Sequence, residues 1–218
     1  VPKSQKLVQK KSSAKTTPAR QAMESRILRG AEQVFAEAGF RGAAMDRIAE
    51  QIGISKQNLL YYFSSKETLY RTVLQNIVDI WLERMAFIND VNASPEEIIR
   101  AYVRGKLELS RDYPCASKVF AQEIISGAPV ISDYLKQHLK PLFDKDVELV
   151  RHWVDEGQLA ATEPEHLFFA IWAMTQTYAD FAVQIGLMMG KPALDQDDFD
   201  RASDFLAEMI LNGICPPK

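Results

Sequence analysis

The feature that most constrains the fold is the stretch Ala44–Lys66, AMDRIAEQIGISKQNLLYYFSSK. Its apolar residues fall at Ile48, Ile52, Leu59 and Tyr62, with the small Ala49 after Ile48 and Gly53 four residues further on. That spacing predicts two short helices crossing at a steep angle. Ala49 admits the second helix closely, and Gly53 supplies the backbone freedom of the turn. Ile48, Ile52, Ile54 and Leu59 close a small core between them. The pattern is a helix-turn-helix.

Ser55 stands where the second helix begins, so its hydroxyl can cap exposed backbone N–H groups. Lys56, Gln57 and Asn58 follow on the first turn, the part of a recognition helix that meets base edges in the major groove. Amides there can pair with adenine and a lysine with guanine. Tyr61, Tyr62 and Lys66 come next, at distances that suit hydroxyl and ammonium contacts to flanking phosphates, which position without reading sequence. Helix-turn-helix spacing also arises in all-helical proteins that bind no DNA, and tyrosines at helical spacing also serve as packing.

The charge distribution favours the DNA reading. The net charge of −3 argues nothing. Residues 1–72, however, hold 13 Lys and Arg against 6 Asp and Glu, whereas residues 73–218 hold 13 against 23. A basic end on an acidic body collects phosphate attraction at one pole only.

The run GFRGAAMDRIAEQIGISKQNLLYYFSSKETLY, Gly39–Tyr70, resembles the DNA-binding domain of the TetR family of one-component repressors. It carries the IA pair, the G-I-S turn, the Tyr-Phe pair and the following S-K-E. Two departures stand out: Ala43 and Ala44 replace the family's usual capping Thr, and Gln57 and Leu60 stand where Gly and Tyr are common. The resemblance implies an all-α protein, with a three-helix DNA-binding domain and a larger helical domain for effector binding and dimerisation. The expected division is a disordered basic arm at 1–19, the helix-turn-helix domain at 20–66 and the effector domain at 67–218.

Helical periodicity predicts a first helix over Gln21–Ala38 ended by Gly39, and a long helix from a Ser64–Glu67 capping box through Trp81, Met85 and Ile88. Ser94-Pro95-Glu96-Glu97 opens the next helix with a cap, a proline and a second capping box. Further helices are expected at 115–125, 130–156 with Pro141 as a kink, 163–189 and 197–213. No alternating run argues for a strand. No apolar run reaches the roughly 18 residues that span a bilayer, and two cysteines, Cys115 and Cys215, suit a reducing cytoplasm.

No catalytic set is legible. His138, His152 and His166 lack metal-ligand spacing, and no phosphate loop or serine nucleophile motif is present, so neither enzyme activity nor a cofactor is expected. The stretch His166–Gly186 is apolar nearly all round and reads as a buried helix, yet Trp172, Gln176 and Asp180 share one stripe. Either they line a pocket in which Trp172 stacks on a flat ligand and Gln176 reads its edge, or they pair internally. Trp81 reads as core, and Lys106 as a side chain that snorkels to solvent.

A second resemblance bears on that choice. Lys106–Pro129 and Ile171–Ile185 are similar to the pyrimidine-utilisation regulators of the TetR family, whose effectors are uracil and thymine. The similarity implies Trp81, Trp172 and Gln176 as effector-site residues, with Asp180 of the same stripe and the polar Lys106 as further candidates. One short recognition helix reads too few base pairs for specificity, so a homodimer on a pseudo-palindromic operator is expected.

Overall fold

The computed structural model describes residues 17–84 and 93–214. Most of the expected arm, the extension of the long helix through Met85 and Ile88, and Cys215 lie outside the described residues. Eleven helices and one π turn follow one another, and no strand occurs among the described residues.

Local chemistry sets most boundaries. Helix α1, Pro18–Gly42, starts earlier than periodicity suggested, because Thr17 accepts the Arg20 N–H and Pro18 occupies the first turn. Pro18 and Ala19, expected in the arm, are therefore helical. At Gly39 the backbone swings to φ 66°, ψ 173°, the break foreseen there, and one further turn follows. Helix α2, Met45–Ile52, has no side-chain cap at Ala44, as the missing Thr implies, and ends on Gly53 at φ 72°. Helix α3, Lys56–Tyr62, is capped by Ser55. Helix α4, Lys66–Arg84, begins one residue later than the expected box, because Ser65 and not Ser64 accepts the capping bond, from the Thr68 N–H.

Helix α5, Pro95–Asp112, carries the complete Ser94/Glu97 capping box, and α6 is Pro114–Ile125. The expected 130–156 helix is instead three segments: α7, Ser132–Tyr134, a π turn at Leu135–Leu139, and α8, Lys140–Asp155. The Lys140 N–H reaches the Leu135 carbonyl, and Pro141, which donates no bond and crowds the preceding turn, follows directly. The expected 163–189 helix divides at Phe181 into α9, Pro164–Asp180, and α10, Ala182–Met189. Helix α11 is Gln196–Ile214.

Two apolar cores result. One joins α1–α4 to Leu109, Ala116, Val119 and Ile131, so the core of the DNA-binding end continues past residue 66 into the body. The other packs α5, α8, α9 and α11 around Val103, Val150, Phe168 and Ile171. The expectation that His166–Gly186 is buried all round fails: Phe169, Phe181 and Val183 are exposed, as are Leu187 and Met188 beyond it and Phe205 on α11.

Glu123 on α6 fastens the first core. It is buried, and its carboxylate accepts from the backbone N–H of Val130 at 2.6 Å, the N–H of Ile131 at 3.1 Å and the Tyr70 hydroxyl at 3.1 Å. One side chain thus ties α4, α6 and the approach to α7.

Glu32 on α1 faces the opening of α6 and is pushed by burial from its ordinary 4.5 up to about 7, a shift moderated by its bond to the Ala116 backbone. A carboxyl whose folded pKa exceeds its unfolded value stabilises below the unfolded value, and that contribution is lost as pH rises through the folded one. Glu32→Gln is therefore expected to leave stability unchanged near pH 4 and raise it by about 1–3 kcal/mol near pH 8. Urea unfolding at the two pH values checks this, and an equal effect at both would contradict it.

Candidate functional site

The short α3 stands on the outer side of the first core. Ser55 Oγ accepts the Asn58 N–H at 3.1 Å, leaving Lys56, Gln57 and Asn58 exposed on the first turn. The Lys56 ammonium donates to Asp46 at 2.8 Å, an exposed pair worth little and readily exchanged for another anion. Tyr61 is 69% exposed and meets Tyr62 edge-on at 5.2 Å. The Arg20 guanidinium lies 5.5 Å from both rings. Sequence reasoning did not single out Arg20, which adds a cation beside the two phenols.

Lys66 takes a different position from the one expected. Its ammonium donates to the Phe40 carbonyl at 2.8 Å and the Ala43 carbonyl at 3.0 Å, and lies 4.6 Å from the centre of the Phe40 ring. These are carbonyls of the chain around the α1–α2 turn, so Lys66 holds the start of α4 against that turn. A phosphate would have to compete with both.

The second constellation lies inside the body. Val78, Trp81 and Leu82 of α4, Lys106 of α5, Phe120 of α6, Leu135 and Leu139 of the π turn, and Trp172 and Gln176 of α9 line one cavity with about 420 Å³ of empty space, part of it open to solvent. Four of the five candidate residues thus converge, although they are spread over 95 positions of the chain.

Polar groups are few there. Trp172 donates its indole N–H to the Tyr102 hydroxyl at 2.8 Å, which fixes the ring. Trp81 packs edge-on to Phe120 at 4.5 Å. Leu82, Leu139 and Trp172 also border a smaller cavity lined by Phe143, Asp146 and Phe168. Lys106 does not snorkel: it is 5% exposed, with its ammonium 5.5 Å from the centre of the Trp81 ring. Burial lowers its pKa from 10.5 to about 8.

Asp180 does not line the cavity. Its carboxylate accepts from the Ser117 hydroxyl at 2.6 Å, so it is satisfied internally, by a hydroxyl and not by the Arg or Lys that internal pairing was expected to supply. Burial raises its pKa, against that bond and the field of Lys106. Val78, Leu82, Phe120, Leu135 and Leu139 were missed, although Val78 and Leu82 stand one turn apart beside Trp81.

Comparison with known proteins fixes the family. Residues 27–73 match the bacterial regulatory proteins of the tetR family, and residues 74–217 match the C-terminal region of YcdC-like proteins. The HTH-type transcriptional regulator RutR of Escherichia coli (strain K12) is 44% identical over 207 residues, spanning 94% of this chain and 97% of the relative. The chain belongs to the TetR family. It is a TetR-type transcriptional regulator similar to RutR, as the motifs of the DNA-binding end implied.

Other TetR-type proteins share the architecture at greater distance. The ketosteroid transcriptional regulator KstR2 of Mycobacterium tuberculosis superposes with a TM-score of 0.73 at 21% identity, covering 89% of this chain and 96% of that one. AibR, solved with isovaleryl coenzyme A and operator DNA, gives 0.70 at 19% identity, covering 85% and 96%. These likenesses establish the fold. No helix of the described residues is long and apolar enough to cross a membrane, and no cluster of metal-ligating side chains occurs among them.

Proposed function

We propose that this TetR-type regulator binds a pseudo-palindromic operator as a cytoplasmic homodimer and is released from it by a pyrimidine base, uracil or thymine. It performs no catalysis. The carrying observation is the convergence of Trp81, Lys106, Trp172 and Gln176 on one cavity. Two indole faces suit a flat ring, Gln176 offers one donor and one acceptor to an imide-like edge, and Lys106 adds a second donor. Asp180 acts indirectly, through Ser117 and its field on Lys106.

On the DNA, Lys56, Gln57 and Asn58 read base edges, and Tyr61 and Tyr62, with Arg20 beside them, meet phosphates. Ser55 holds the recognition helix in its frame. The exposed apolar residues of α9, α10 and α11 form the dimer face.

Coupling runs along α4, which follows α3 in the chain, is held at its start against the α1–α2 turn by Lys66, and carries Val78, Trp81 and Leu82 into the cavity. A ligand packed on Trp81 favours one tilt of α4 and moves the two recognition helices off the roughly 34 Å spacing of successive major grooves. A difference of about 1–3 kcal/mol between tilts changes operator affinity roughly 5- to 150-fold.

Calorimetric titration with uracil and thymine tests the reading, with Trp172→Ala and Gln176→Ala alongside. Binding should be lost or weakened by at least about tenfold in both variants, since each leaves part of the ring edge or face without a partner. Absence of heat with either base, or unchanged affinity in both variants, would retire the pyrimidine as effector.

A further inference from the structure

The ammonium of Lys106 is the charged group that lines the effector cavity, and no acceptor among the described residues is bonded to it. It is 5% exposed, and among the described residues no hydrogen bond or ion pair reaches it. Its surroundings are the Trp81 ring on α4, Phe120 on α6, Leu135 and Leu139 on the π turn, and Trp172 and Gln176 on α9. Asp180 on α9 is the carboxylate whose field favours its charge, and Asp180 is already bonded to Ser117 and shared with Lys118 on α6. Asp146 on α8 borders the neighbouring cavity and acts on Tyr102, not on Lys106. The ammonium keeps contact with the partly open cavity in place of a protein acceptor, and a ligand oxygen there would give it a charge-assisted hydrogen bond in largely apolar surroundings.

We propose that Lys106 donates to an oxygen of the effector and that binding is coupled to its protonation, so the regulator takes up about one proton per effector bound at alkaline pH. This rests on the reading of the cavity as the effector site, and extends it to regulation and selectivity. The site selects planar ligands whose edge presents a strongly accepting carbonyl oxygen, and discriminates against those presenting only donors. The free ammonium loses its proton near pH 8, and the bound one, with an oxygen to donate to, holds it to higher pH. Affinity should then be level near neutrality and fall about tenfold between pH 7 and pH 9.

The test is calorimetric titration of the full-length protein with uracil at about pH 7 and pH 9, each in two buffers of different ionisation enthalpy. The wild type should bind about tenfold more weakly at pH 9 and take up close to one proton there. Lys106→Met and Lys106→Gln should both bind more weakly at pH 7, show little difference between pH 7 and pH 9, and lose most of the proton uptake, the small remainder being that of the acidic imide N–H of uracil itself. Operator binding by each variant reports that it is folded. Equal wild-type affinity at both pH values without proton uptake would overturn the coupling and leave the pyrimidine reading standing. Proton uptake that persists undiminished in both variants would place the proton elsewhere and also overturn it. No uracil binding at either pH would remove the effector reading and the coupling together.

Discussion

Glu123→Ala is expected to lower the unfolding free energy by about 3–5 kcal/mol, because it strips the acceptor from three donors at once, two of them in buried bonds and one in a partly buried one. The Val130 and Ile131 N–H groups and the Tyr70 hydroxyl all end on that carboxylate. No other described side chain is recorded as accepting from them, and the site is closed to water on the Tyr70, Val119 and Ile131 side. Glu123→Gln keeps one amide oxygen for the backbone pair and should cost less, about 1–2 kcal/mol. Urea unfolding at neutral pH measures both. A loss below about 1 kcal/mol for the alanine variant would mean that the three donors find other partners. Tyr70 lies on α4 between the recognition helix and the cavity, so the same variant should also blunt the response of operator binding to effector.

The second large effect concerns the apolar surface of the last helices. Val183 and Leu187 stand one turn apart on α10 and are 72% and 71% exposed, Met188 is 79% exposed, and Phe205 and Met209 repeat the spacing on α11. Exposed apolar residues grouped along each of these helices are what an association surface is expected to present. Introducing carboxylates there, as Leu187→Glu with Met188→Glu, would require burying two unpaired charges in each copy. The double variant should sediment as a monomer at micromolar concentration and bind its operator at least roughly 100-fold more weakly, since one recognition helix engages one half-site and the linked second contact is lost. A double variant that remains dimeric would move the interface elsewhere.

How much of this was legible in the sequence divides by the range of the interactions. Ser55, Ser94 and Gly53 act on backbone groups within three or four residues, so their roles could be read directly. Lys66 could not be read in that way. Its carbonyl partners are 26 and 23 residues away, and nothing local distinguishes an ammonium that will reach a carbonyl from one that will reach a phosphate. Asp180 was ambiguous for the same reason, its partner Ser117 being 63 positions distant. The division of the 163–189 segment at Phe181 lacks a proline or glycine signal, and the apolar exterior that follows looks in sequence like a buried helix. Trp172 and Gln176 were legible as a stripe on an apolar helix and Trp81 through resemblance to a family, whereas Phe120, Leu135 and Leu139 complete the cavity only once α6 and the π turn are packed against α4.

The π turn has a further consequence for the geometry of the body. It holds one residue more than the α turn it replaces, so it resets the angular phase of everything after it by about 100°. Within the π turn, Leu135 and Leu139 line the cavity; after it, Val147, Val150 and Trp153 pack into the second core. A single helical cylinder therefore serves two interiors that face different ways. Without the extra residue, one of the two faces would have to turn outward, and the wall of the binding chamber and the packing of α8 could not both be kept.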